Sequence, residues 1–459
     1  MVYVTLRFLL RIAVRVFFKS IHITDKENIP ANSPLIIVAN HPNTFMDPII
    51  IATILNRKIF FLAKGEVFKS GLAKWLLPKF NMIPVYRKQE GAGDLHKNEE
   101  TFDKCYEHLE NNGVILIFPE GTSITERKLR KIKTGAARIA LGAEAKNDFK
   151  SGVKILQIGL NYSNAQSFKS DLFVKIDQPT DVRTFENEYK RDPFKTALQL
   201  TEQIKLRLEE HIINIENSYL DTLLANIETI YKIKLAKEFG FSLKEKEEDF
   251  TLTKNIAERL HYYYESDPSR VSELNEKVKR YLSILNKLGI SDATMRKDDR
   301  KKSFLLTNIL SVLYLIVGFP LYVYGLINNY LPYRIPGLVA RKVSREKEYY
   351  APIAMVTGIF TFLIFYSFQT YMVAKYFHTL SITIAYMISL PLSGYFTYSY
   401  YYSAEDIRTR WILISLFFNR STLIANLIQQ RSDIIKELDS AKAEYPDSSE
   451  IPAIATGKS

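Results

Sequence analysis

Over its first 190 residues the chain alternates short apolar runs with stretches of helical spacing. Pro34–Ala39, Lys58–Ala63, Met82–Tyr86, Val114–Phe118, Ile155–Leu160 and Asp171–Ile176 are brief and mostly apolar, the pattern of buried strands. Between them, Gly71–Leu77, Asn98–Asn111 and Gly135–Ala145 place apolar residues at helical intervals. Strands alternating with helices predict an α/β domain over residues 25–190, with a mixed sheet flanked by helices. Residues 191–302 lose the strand signal. Their charged positions interleave with Leu, Ile and Tyr, predicting a helical region.

The two ends of the chain follow other patterns. Arg7, Arg11, Arg15 and Lys19 recur every four positions, on one helix face. The residues between them are mostly apolar, so residues 1–24 are expected to form a basic amphipathic helix lying in an anionic interface. Ser303–Tyr333, Tyr349–Ala374 and Tyr376–Ala404 contain no Asp, Glu, Lys or Arg. Each exceeds the roughly 20 apolar residues that a spanning helix needs. Gly318 and Pro320 sit near the middle of the first run, and proline breaks helices. That run is therefore expected to turn back within the bilayer as a re-entrant hairpin. The second and third runs would form a hairpin joined near Lys375, the membrane region as a whole covering 303–404. Basic clusters at 296–302, 334–347 and 408–410 then all fall on the cytoplasmic side by the positive-inside rule. Residues 405–459 would add a cytoplasmic helix and a disordered tail from about Ala441.

Charge sharpens this picture. Lys and Arg number 62 against 50 Asp and Glu, a net +12. Because the basic residues cluster at membrane edges, the expected partners are membrane lipids and a phosphorylated substrate, not nucleic acid. The single cysteine, Cys105, excludes a disulfide scaffold and a multi-cysteine metal site. There is no Walker loop, Gly-x-Gly-x-x-Gly, Gly-x-Ser-x-Gly elbow or His-Glu-x-x-His.

Candidate chemistry follows the predicted strands. In Asn40-His41-Pro42-Asn43-Thr44-Phe45-Met46-Asp47, a histidine leaves a buried strand and a carboxylate follows six positions on. Such residues can pair as base and orienter. Positions i and i+6 do not share a helix face, so a turn must come first, and Pro42 with Asn43 suits one. A purely structural histidine–carboxylate contact is the alternative for this stretch alone. In Phe118-Pro119-Glu120-Gly121-Thr122-Ser123, glycine permits close backbone approach. Its N–H groups and the hydroxyls of Thr122 and Ser123 would receive a phosphate or an oxyanion, and Glu120 would bind substrate hydroxyls. An ordinary strand-to-loop turn is the alternative there. Lys64, Arg87, Arg127, Lys128, Arg130, Lys131 and Lys133 place cations beyond strand ends, where open α/β sheets bind ligands.

Taken in order, His41–Asp47, the block KGEVFKSGLAKWLLPKFNMIPVYR ending in Arg87, and FPEGTS resemble the glycerolipid acyltransferase family. The resemblance covers about residues 30–180. It implies transfer of a fatty acyl group, from acyl-CoA or acyl carrier protein, to glycerol-3-phosphate or lysophosphatidate at a membrane face. His41 would be the general base and Asp47 its orienter. Lys64 and Arg87 would hold the acceptor phosphate, and Glu120, Gly121, Thr122 and Ser123 would complete the substrate site. Neither cofactor nor metal is implied. Five residues separate His41 from Asp47 where the family usually has four, which resembles the fungal glycerol-3-phosphate and dihydroxyacetone-phosphate acyltransferase branch. Tyr281–Asp292 and the C-terminal spans are similar to that branch as well. Ser123 stands where many members carry arginine, so Arg127 or Lys133 would supply that phosphate contact. Ile155–Asn161 matches the fourth family block without its proline. The rival readings are an O-acyltransferase for lysophosphatidate or another lyso-lipid, and a non-catalytic membrane protein that binds acidic lipid.

Overall fold

The computed structural model describes residues 2–65, 71, 75, 77–85, 96–296, 304–419 and 421–446. The chain forms two compact units, one from Met1–Asn214 with Val339–Val356 and one from Ile215–Leu338 with Thr357–Ser459.

The first unit is built on eight strands: β1 (Ser20–Thr24), β2 (Leu35–Ala39), β3 (Ile59–Lys64), β4 (Met82–Val85), β5 (Val114–Ile117), β6 (Lys154–Tyr162), β7 (Asp171–Ile176) and β8 (Thr180–Asp181). They lie in the order β1–β7–β6–β2–β5–β3–β4, with β8 beside β6. Pairing is parallel except where β6 meets β7 and β8. Among the described residues six helices accompany them: α1 (Val2–Phe17), α2 (Met46–Ile54), α3 (His96–Glu110), α4 (Gly135–Lys146), α5 (Glu186–Arg191) and α6 (Pro193–Glu210). This is the expected mixed sheet flanked by helices.

The period-2 geometry of strands divides the core in two. On β2 and β5, Ile36, Val38, Ile115 and Ile117 join the cluster that contains residues of α3, α4 and α6. Leu35, Ile37, Ala39, Val114 and Leu116 join the cluster of α1 and α2. All five residues of β2 are buried, as expected of a central strand covered on both faces. Each large aliphatic there contributes roughly 1.5–3 kcal/mol through burial. Because β2 and β5 are neighbours in register, the loops leaving their carboxyl ends start side by side.

Residues 1–24 differ from expectation. The helix ends at Phe17, and Ser20–Thr24 instead form β1, in register with β7. Arg7 and Arg11 turn toward α2, donating to Asn56 Oδ1 and the Thr53 carbonyl. Phe8, Leu9, Ile12 and Val16 are exposed. Most of the helix expected at Gly71–Leu77 lies outside the described residues.

The second unit is helical. Its elements are α7 (Ser218–Phe239), α8 (Lys246–Ser266), α9 (Pro268–Leu288), α10 (Asp292–Met295) and α14 (Ser421–Glu444), with most of α11 (Phe304–Val343), α12 (Tyr350–Phe377) and α13 (Leu380–Asn419). Local signals set the ends. Asn217 and Asp267 accept from the backbone N–H three residues on, and Gly240 and Gly289 close their helices in the left-handed region. Tyr281 and Asp292 hydrogen-bond each other at 2.8 Å, and Arg431 of α14 completes the buried cluster on Asp292. The tail expected to be disordered from Ala441 stays helical to Glu444, and its last thirteen positions, 447–459, lie outside the described residues.

Leu310–Val343, Lys347–Phe377 and Leu380–Leu413 are long and apolar enough to cross a membrane. The expected re-entrant turn is not formed. α11 runs unbroken through Gly318 and Pro320, with Pro332 and Pro336 also inside it. A proline leaves the carbonyl four residues earlier without its donor, and neighbouring side chains replace two of those donors. Gln369 Nε2 donates to the Asn328 carbonyl at 3.0 Å, opposite Pro332. Thr361 Oγ1 donates to the Pro332 carbonyl at 3.2 Å, opposite Pro336. Apolar helices tolerate proline when such partners are present.

Candidate active site

The site begins where β2 ends. Asn40 keeps its side chain in the sheet. Its amide donates to the Leu160 carbonyl at 3.0 Å and accepts from the Leu160 N–H at 2.7 Å. The side chain thus imitates one more residue of strand pairing while the backbone turns away. The turn itself runs through Asn43–Met46, whose Met46 N–H bonds the Asn43 carbonyl, and Thr44 takes a left-handed φ of 34°. It brings together two residues six apart, as the His41–Asp47 spacing requires.

His41 Nδ1 lies 2.8 Å from Asp47 Oδ2. The carboxylate accepts, so Nδ1 carries the proton and Nε2 keeps its lone pair. Asp47 is fully buried, whereas the His41 side chain is 17% exposed. Asp47 sits in the first turn of α2, where the helix dipole favours a negative charge. It takes two further donors: Oδ2 also takes the Asn43 N–H at 2.8 Å, and Oδ1 takes the Tyr162 hydroxyl at 2.5 Å. Burial, with Asp47 beside it, pushes the Tyr162 pKa well up, so the phenol remains a donor.

β5 delivers the second block beside the first. Phe118 stacks on the His41 ring, with centroids 3.9 Å apart and planes at 14°. Glu120 is buried, and both its oxygens meet backbone donors. Oε1 accepts from the His41 N–H at 2.8 Å and Oε2 from the Arg130 N–H at 3.2 Å. Burial pushes its carboxyl above the ordinary range, and those two bonds pull it back in part. This is the geometry of a group that fixes His41 and the cationic segment, where a contact to substrate hydroxyls was expected. Gly121 adopts φ 72°, a conformation natural to glycine. Its N–H closes a turn onto the Phe118 carbonyl at 3.1 Å, so that amide is not aimed outward as an oxyanion donor. Ser123 Oγ accepts the Thr44 N–H at 2.7 Å, tying the two blocks together. Thr122 is half-buried in the same loop.

The cations are placed less completely. Lys64 is the last residue of β3, but its side chain and the whole of Arg87 lie outside the described residues. Arg127 is half-buried and Lys133 exposed. The Lys133 N–H bonds the Pro119 carbonyl at 2.9 Å, which folds this segment back onto the glycine turn. Cys105 is fully buried, and burial pushes its thiol up to about 12, which removes it as a nucleophile.

Tyr162 escaped the sequence reading. It lies 115 positions from Asp47 and one residue past the stretch compared with the fourth family block. The available signal was topological: β6 runs parallel to β2, so its carboxyl end opens at the same edge.

The structure thus places a histidine, held by a buried carboxylate, at the carboxyl edge of the sheet. Residues 20–159 match the Acyltransferase family model, and the chain carries an acyltransferase-family domain. It is 36% identical over 108 residues to glycerol-3-phosphate O-acyltransferase 2 of Saccharomyces cerevisiae, covering 23% of this chain and 14% of that one. It is 27% identical over 150 residues to a chloroplastic 1-acyl-sn-glycerol-3-phosphate acyltransferase of Arabidopsis thaliana, covering 32% and 38%. The chain therefore spans well under half the length of these curated relatives. The crystal structure of a 1-acyl-sn-glycerophosphate acyltransferase from Thermotoga maritima aligns with a TM-score of 0.31 at 22% identity, over 44% of this chain and 75% of that one.

Proposed function

We propose that this chain is a membrane-bound O-acyltransferase that moves a fatty acyl group from a thioester, acyl-CoA or acyl carrier protein, to a hydroxyl of glycerol-3-phosphate or dihydroxyacetone phosphate. The observation that carries the reading is the His41–Asp47 pair at 2.8 Å, buried on the Asp47 side and open at His41 Nε2. His41 Nε2 removes the proton of the acceptor hydroxyl as its oxygen attacks the thioester carbonyl carbon. The tetrahedral intermediate collapses, the carbon–sulfur bond breaks, and the thiolate leaves and takes the proton back from His41. Asp47 holds the ring in the required tautomer and stabilises the transient imidazolium. Tyr162 and the Asn43 N–H hold Asp47, Phe118 covers one face of the ring, and Glu120 anchors the His41 backbone. Lys64, Arg87, Arg127 and Lys133 hold the acceptor phosphate, the arginines suiting bidentate contact.

A second reading, in which the acceptor is lysophosphatidate, is favoured by a specific finding: the relatives the chain resembles include one named for 1-acyl-sn-glycerol-3-phosphate as well as one named for glycerol-3-phosphate. The deciding experiment offers labelled glycerol-3-phosphate and lysophosphatidate separately to membranes containing the protein, with each donor type and with His41→Ala as control. Transfer to glycerol-3-phosphate that disappears in the variant supports the first reading. Transfer to lysophosphatidate alone keeps the mechanism and changes the acceptor. Transfer to neither, with the protein folded in the membrane, overturns both.

A further inference from the structure

Thr44 adopts a backbone conformation that a β-branched residue rarely takes, so its surroundings must hold it there. Ser123 takes its N–H. Its hydroxyl donates at 2.9 Å to the carbonyl of Glu348, a residue 304 positions away in the short segment joining α11 to α12. The carboxylate of the same Glu348 lies 3.5 Å from the Thr125 N–H, and the Thr125 hydroxyl donates to the Pro42 carbonyl at 3.1 Å. Glu348 therefore touches the histidine loop with its backbone and the loop after β5 with its side chain. Its neighbours fasten it to the same unit. The Tyr349 ring meets Phe45 edge-on at 5.9 Å, and Ala351 and Met355 join the buried cluster that holds Ile50 and Ile51 of α2.

We propose that Glu348 is a positioning residue for the acyl-transfer site: the segment between the two apolar helices clamps the His41–Asp47 turn against the loop after β5. The clamp acts on the attack geometry, not on substrate. Without it, Thr44 relaxes from its left-handed conformation and the turn between His41 and Asp47 loses its register. The role as a catalytic aid rests on the acyltransferase reading, whereas the clamp itself does not.

The test uses the full chain in membranes with Glu348→Ala, Glu348→Gln, Thr44→Val and Thr44→Ser. Two quantities are read: acyl-transfer kinetics, and hydrogen exchange of the peptide covering residues 40–47. Glu348→Ala and Thr44→Val are expected to lower kcat about tenfold to a hundredfold, in the range that small misplacements cost, with the KM for acceptor unchanged. Both should speed exchange in the 40–47 peptide. Glu348→Gln keeps an accepting oxygen and Thr44→Ser keeps a hydroxyl, so each should retain activity and protection. The double variant Glu348→Ala/Thr44→Val should lose little beyond the worse single change, because both remove one clamp. Unchanged exchange in both disruptive variants overturns the proposal, as does loss in Glu348→Gln equal to that in Glu348→Ala. If the unmodified chain transfers no acyl group, the acyltransferase reading fails, and the exchange measurement still decides the clamp. Should Glu348→Ala not accumulate, Thr44→Val probes the clamp through its other contact, the bond to the Glu348 backbone carbonyl.

Discussion

The two units bury polar side chains to opposite ends. In the α/β unit, Asn43, Asp47 and Glu120 are buried, and their hydrogen bonds reach, directly or through Asp47, one histidine whose outer nitrogen has no partner among the described residues. In the apolar helices, Gln369 and Thr361 spend their donors on carbonyls that Pro332 and Pro336 have stripped of partners. Asn329 turns its amide to the Gly325 carbonyl and accepts from the Tyr366 hydroxyl at 2.5 Å. One arrangement holds a histidine ring in place and the other closes gaps in a backbone. Burial of polar groups does not by itself mark a site. We read a partly exposed group with an unused acceptor, held by buried hydrogen-bonded neighbours, as the candidate site.

The contrast can be broken at its strongest point first. His41→Ala should lower kcat by about 10³-fold or more, since a general base contributes up to 10⁴-fold, with melting of the purified protein little changed. A rate within tenfold of the unmodified chain would remove His41 from the chemistry. Asp47→Asn comes next, with an expected loss of up to about 10⁴-fold if the tautomer is lost. An amide cannot accept both the Asn43 N–H and the Nδ1–H on one side while taking the Tyr162 hydroxyl on the other without presenting its own NH₂ to a donor. Steady-state rates over a pH series would show the loss at every pH if the tautomer is at fault. Tyr162→Phe removes one donor to a charged acceptor, worth about 1.5–3 kcal/mol, so kcat should fall roughly tenfold to a hundredfold with acceptor KM preserved. Full activity would mean that Asp47 is held well enough by Asn43 alone.

The smallest effect belongs to the other unit. Gln369→Leu leaves the carbonyl opposite Pro332 without its substitute donor. It should cost about 1 kcal/mol of stability, the usual scale of a hydrogen bond between apolar helices, while kcat per folded molecule stays the same. Thermal inactivation of detergent-solubilised protein, alongside the rate of the surviving fraction, separates the two. A large drop in kcat at unchanged stability would show that polar burial in this unit serves the reaction after all.

Much of this was legible from residue order. The strand runs fall within a residue or two of β2 to β7, because fully covered strands read as unbroken apolar stretches. The His41–Asp47 contact and the turn it needs were both readable, since they are local. Tyr162 and Glu348 were not, being brought to the loop by sheet order and by tertiary packing. Glu120 was legible as a site residue, but its two backbone partners were not, since they depend on where the segment around Arg130 folds back. β1 was overlooked because the four-residue basic spacing runs on to Lys19, masking the alternation of Ser20-Ile21-His22-Ile23-Thr24. The unbroken course of α11 contradicts a sound rule about proline, because the replacement donors belong to a different helix.

The lone thiol of Cys105 lies sealed in the core beneath β5 and α4. Toward maleimide reagents the natural chain therefore behaves as though it had no cysteine. Single cysteines placed at exposed positions such as Phe8, Ile12 or Tyr376 would each react alone. Paired fluorophores or spin labels could then report depth and distance across this protein without first rebuilding its interior.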